Sequence, residues 1–179
     1  MTTEETIDRN RIITEWFFYD WIGDREHLPG SEDVFLFMKI MIDVVSIFGT
    51  INEQERKYII GRGAILGVTN ELLKELERYE PCFSDDINEV LEGFNQIHVK
   101  KTRMGIIYNL LRMFGDQNKL DSKTLDTIHM LAGKLGATKE QVQQLHELYH
   151  QEEQIRRQRA VLLFPHGFED ALIEYQKIH

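Results

Sequence analysis

The feature that most limits what this chain can fold into is a partial match to itself. Shifted by 69 residues, Ile59 falls on Ile128, Leu66 on Leu135, Gly67 on Gly136, Thr69 on Thr138, Glu71 on Glu140 and Leu76 on Leu145. Shifted by 66, the preceding stretch matches as well: Met38 falls on Met104, Ile40 on Ile106, Phe48 on Phe114 and Gly49 on Gly115. A self-match at a fixed spacing marks repeated supersecondary units, neither of which can bury its apolar stripe alone. The reading is a repeat at about 34–80 and a second at about 102–150, the second with three more loop residues after its Phe-Gly. The two share one core in a single domain spanning 1–179, with accessory helices at both ends.

Each copy reads as helix, Phe-Gly, polar or acidic loop, capped helix, Leu-Gly, Thr, capped helix. Val34, Phe37, Met38, Met41, Val44, Val45 and Phe48 keep helical spacing after Ser31, and Gly49 is expected to stop that helix. Asn52 with Glu55, and Thr138 with Gln141, have the spacing of capping boxes, in which each side chain satisfies a free N–H at the helix start. Asp121 and Thr69 open two further helices. Another is expected from Ser84, Asp85 and Asp86, weakening near His98 to Lys101, and another over Met104 to Phe114. A long last helix should run from Thr138 until Pro165 ends it. Ile12, Ile13, Trp16, Phe17 and Trp21 suggest a first helix, and Phe168, Leu172, Ile173 and Ile178 a short terminal one. Little strand alternation lies between them. The fold class is all-α, a bundle of eight or nine helices.

The repeat resembles that of the TerB-like family, named for tellurite-resistance protein B and shared with the N-terminal domain of DjlA-type co-chaperones. That pattern has an apolar helix ending in Asp-Gly, a branched apolar residue, a Glu four positions later, and a helix closing on Leu-Gly. Here the first copy gives Phe48-Gly49-Thr50-Ile51, then Glu55 and Leu66-Gly67. The second gives Phe114-Gly115, Leu120, Thr124 where Glu is expected, and Leu135-Gly136. The resemblance covers about residues 34 to 164. It implies an all-helical domain linked to tellurite or general stress response. In relatives the acidic positions can serve a divalent cation or a basic partner. Phe48 and Phe114 stand where the family has Asp, and a phenyl ring offers neither charge nor lone pair, so no metal and no cofactor is expected.

Three motifs invite chemistry. His146-Glu147-Leu148-Tyr149-His150 reads H-E-x-x-H, in which two His one turn apart bind zinc and the Glu serves as base, with Glu169 as a conceivable third ligand. On a helix, however, His146 lies roughly 100° from the stripe of Val142, Leu145, Leu148 and Tyr149, with Glu147 and His150 farther round. All three are expected to face water, without the walls a catalytic zinc needs. Asp116, Asn118 and Asp121 suggest a calcium loop, but Asp121 stands where the turn wants Gly, and Thr127 where a bidentate Glu is required. Gly61-Arg62-Gly63 follows no strand, so it is read as permitting close packing of a neighbouring helix.

The net charge of -9 argues against nucleic acid, which demands a basic face. The clusters Lys100, Lys101, Arg103 and Arg156, Arg157, Arg159 are read as solvated helix faces. No apolar run could span a bilayer, and the first residues lack the basic stretch of a signal peptide. With one thiol, Cys82, no intrachain disulfide forms; a reducing, cytoplasmic setting is expected. The reading is a non-enzymatic module that binds a protein partner. The candidate contacts are Glu53, Glu55, Asp116, Asn118 and Asp121 in the acidic loops, and Trp16 and Trp21 in the aromatic N-terminus. Five aromatics at Trp16, Phe17, Phe18, Tyr19 and Trp21 wrap more than one helix face, which also leaves room for a homodimer contact. The alternatives are a divalent-cation protein and, behind it, a zinc hydrolase.

Overall fold

Four cap residues divide the chain where the sequence places them. Asn52 accepts from the Glu55 N–H at 2.9 Å while the Glu55 carboxylate accepts from the Asn52 N–H at 3.0 Å, and Asp121 accepts from the Thr124 N–H at 2.8 Å. Thr69 and Thr138 accept from Leu72 and Gln141. The computed structural model describes residues 8–24, 26–81, 99–170 and 172. Among them lie seven helices and no strand: α1 (Arg9–Ile22), α2 (Ser31–Ser46), α3 (Glu53–Ile65), α4 (Asn70–Arg78), α5 (Val99–Asp116), α6 (Ser122–Lys134) and α7 (Lys139–Leu163). The sequence suggests eight or nine. The helix expected from Ser84, Cys82 and most of the terminal helix lie outside the described residues. α5 begins at Val99, before the expected Met104.

The chain divides into two compact units, Met1–Lys100 and Lys101–His179. In the first, α2, α3 and α4 pack on one another and α1 lies on α3. Val34, Met38, Met41, Ile42, Val44, Val45, Ile59 and Leu76 are buried there. The Arg56 guanidinium donates to the carbonyls of Leu76 at 3.0 Å and Tyr79 at 2.9 Å, satisfying the open end of α4 from a neighbouring helix. In the second unit α6 packs on α7, and Tyr108 of α5 donates its hydroxyl to Glu152 of α7. Its buried side chains include Ile106, Ile107, Leu110, Leu111, Phe114, Ile128, Leu131 and Val142.

The 69-residue spacing reaches the hydrogen bonds. α3 and α6 both have 13 residues, and their starts and ends are 69 apart. Both close the same way: the Val68 N–H bonds the Gly63 carbonyl at 3.0 Å, and the Ala137 N–H bonds the Ala132 carbonyl at 2.8 Å. This six-to-one closure needs a left-handed residue, supplied by Gly67 (φ 96°) and Gly136 (φ 75°).

The two Phe-Gly pairs differ. Gly49 has φ 131° beyond the end of α2, whereas Gly115 remains inside α5. A Cβ at Gly115 would overlap the ring and hydroxyl of Tyr149, so that glycine serves close helix packing. The stop is made by Asn118 instead (φ 55°), with the Lys119 N–H closing on the Phe114 carbonyl at 2.8 Å. The extra residues of the second copy therefore lengthen the helix and not the loop. Ser31 departs as well: Gly30 is the cap, and the Ser31 hydroxyl accepts from the Thr69 N–H at 3.1 Å. In Gly61-Arg62-Gly63 only Gly63 meets a neighbour, with Met38 within 3.2 Å of a would-be Cβ, while Gly61 faces open space.

Candidate functional site

α1 owes its start to Asp8, whose carboxylate accepts from the Arg11 N–H at 3.1 Å. It buries Thr14 and Phe18, and the positions one turn apart on another face, Ile12, Trp16 and Tyr19, are 53%, 63% and 49% exposed. Rings on a helix that packs only one side have nowhere else to go. Trp21 is 39% exposed; it lies against Phe17 at 5.3 Å between centroids, and the Arg62 guanidinium sits 4.9 Å over its ring. Trp16 is thus an open aromatic surface, and Trp21 a partly covered one.

The acidic residues of the two loops are not equivalent. Glu53 is exposed and pairs with Lys57 at 2.7 Å, which lowers its pKa. Glu55 is buried and bonded back to Asn52, so its carboxylate does not face a partner. Asp116 pairs with Arg156 at 2.9 Å. Asn118 is the left-handed stop of α5, and Asp121 is an exposed cap whose pKa is lowered by the backbone N–H of Thr124. A cation loop asks Asp116, Asn118 and Asp121 to converge on one point, whereas Asp116 is paired with Arg156 of α7, Asn118 forms the left-handed turn and Asp121 caps α6. Among the described residues no three His, Cys, Asp or Glu side chains are grouped to hold a metal ion.

The H-E-x-x-H residues lie on α7. The His146 and His150 Nε2 atoms are 3.0 Å apart, one donating to the other, and Glu147 accepts from Gln143 at 2.9 Å. His150 and Glu147 face solvent, as their helical angles require, but His146 is half-buried and Leu148 of the expected apolar stripe is 42% exposed. Burial lowers the His146 pKa from 6.5, with His150 and His129 adding to the effect and Glu147 opposing it. A histidine depressed in the folded state contributes stability that is full above its unfolded pKa and is lost as pH falls below it. Thermal melts between pH 8 and 5.5 should therefore show a drop in Tm that is smaller in His146→Gln; equal drops would contradict the assignment.

One arrangement had no sequence signal. Of the arginines read as a solvated face, Arg156 is held by Glu153 at 2.6 Å and Asp116 at 2.9 Å, and Arg157 lines a cleft of about 480 Å³ against the α5–α6 loop. Neighbouring positions on a helix point about 100° apart, and only the fold decides what each meets.

Paired cap, helix and left-handed closure, in a chain whose described residues form helices and connecting loops with no strand, match a TerB-like fold. Among solved structures the chain is similar to a tellurite resistance protein from Nostoc punctiforme, with TM-score 0.75 and 25% identity, over 90% of this chain and 98% of that one. The resemblance read from Phe48-Gly49, Leu66-Gly67 and their counterparts is shown by that match. Neither the family models nor the curated proteins gave a match. Among the described residues no helix is long and apolar enough to cross a membrane.

Proposed function

We propose that this chain is a non-enzymatic, cytoplasmic interaction module that serves a tellurite or general stress response by holding a protein partner on α1. The observation that carries the reading is the exposed row Ile12, Trp16 and Tyr19. Large aromatic surface costs solvation when left open and dominates binding energy when covered. The similarity to a tellurite resistance protein supports the family link. Glu53 and Asp121, each exposed at the start of its own helix, are separate carboxylates open to a basic partner, while Glu55 is withdrawn by its cap.

The test is capture from the native cell with the wild type and with Trp16→Ala/Tyr19→Ala, followed by titration of the captured protein. The double variant should bind about thirtyfold more weakly, the loss of about 2 kcal/mol typical of an aromatic anchor. Unchanged affinity would remove α1 from the reading. Sedimentation of the chain alone separates a partner from a second copy: a dimer that dissociates in the double variant assigns the face to self-association.

A further inference from the structure

Arg156 and Arg157 are adjacent in sequence and opposite in circumstance. One guanidinium, Arg156, lies within 2.6 Å of Glu153 and 2.9 Å of Asp116, so two carboxylates share it. Arg157 makes no ion pair among the described residues, and it lines the cleft of about 480 Å³ with His150, Gln154, Gln158, Tyr149 and Asn118. Glu153 also lines the cleft; Arg156 is shared between it and Asp116, so one carboxylate charge is left over beside Arg157.

The volume is that of a small-molecule site. Three carboxamides and an imidazole stand beside a guanidinium, whose planar fork matches a group bearing two or more oxygens. The chain as a whole carries -9 and repels anions at long range. Arg157 offsets the surplus carboxylate charge at the cleft and, having no ion pair among the described residues, leaves its planar fork open to an oxygen-bearing ligand.

We propose that this cleft binds a small molecule through an oxyanion group, a carboxylate or a phosphate, which pairs with Arg157 while His150, Gln154 and Gln158 bond the rest of the ligand. None of the lining residues belongs to α1, and the proposal does not depend on a protein partner there.

The experiment is isothermal titration of the full chain at fixed ionic strength with inorganic phosphate in one arm and succinate in the other. Saturable heat with a Kd below about 1 mM is expected in at least one arm, and the arm that responds identifies the group. Arg157→Gln should weaken that binding about tenfold or more, and Arg159→Gln, outside the cleft lining, should leave it unchanged. Leu120→Trp, which fills the cleft without touching a charge, should abolish it. Arg157 and Arg159 are exposed, so those two variants keep the fold. No saturable heat in either arm, or binding that survives Arg157→Gln or Leu120→Trp, overturns the proposal.

Discussion

Gly115→Ala should lower the unfolding free energy by about 2 to 3 kcal/mol in a urea or thermal titration, although alanine is the better helix former. The glycine is inside α5, and a methyl group there meets the ring and hydroxyl of buried Tyr149. Propensity would favour the change by about 1 kcal/mol, so the steric term decides the sign. Gly133→Ala is the matched control: it lies in α6 with nothing within 4 Å of a would-be Cβ, and it should gain about 0.5 to 1 kcal/mol. In a Tyr149→Leu background the penalty at Gly115 should shrink. If Gly115→Ala proves as stable as Gly133→Ala, the close approach of α5 to α7 is wrong.

The second large effect separates the two copies. Leu76 and Leu145 correspond at the 69-residue shift, yet Leu76 is fully buried and Leu145 only half so. Leu76→Ala should cost about 3 to 4 kcal/mol, and Leu145→Ala less than half as much, since the cost follows the apolar surface withdrawn from the core and the cavity left behind. Ile59 and Ile128, only 1% and 0% exposed, should by contrast respond alike, each losing about 1 kcal/mol on change to Val. Equal losses at Leu76 and Leu145 would mean that the copies are packed more alike than they stand here.

What the sequence reveals and what it hides divide along the range of the interaction. The caps at Asn52, Thr69, Asp121 and Thr138 and the closures at Gly67 and Gly136 are settled within six residues, so their side chains and spacing are enough to find them. Gly115 looks like the counterpart of Gly49, but its role depends on Tyr149, 34 positions away and on another helix. Ser31 has the composition of a cap, and what it meets is the Thr69 N–H, 38 positions on. The same distinction governs the candidate sites. The outward face of His150 and Glu147 follows from helical angles alone, whereas the half-burial of His146 needs neighbours. Arg156 and Arg157 are indistinguishable as letters; Asp116, 40 positions back, tells them apart. Five crowded aromatics mark α1 as unusual, but only the packing shows Trp16 open and Trp21 partly covered.

The final helix has a mechanical corollary. α7 runs for 25 residues, about 37 Å, yet every described residue from Gln154 to Leu163 is exposed, Leu162 to 81%. Among the described residues those last turns are held by their own backbone and by the Arg156–Asp116 pair, and a few turns of isolated helix are marginal in water. They should open far more often than the rest of the chain unfolds, giving rapid amide exchange and early tryptic nicking at Arg157 or Arg159. Whatever settles in the cleft against Arg157 would reach into that loose end and steady it.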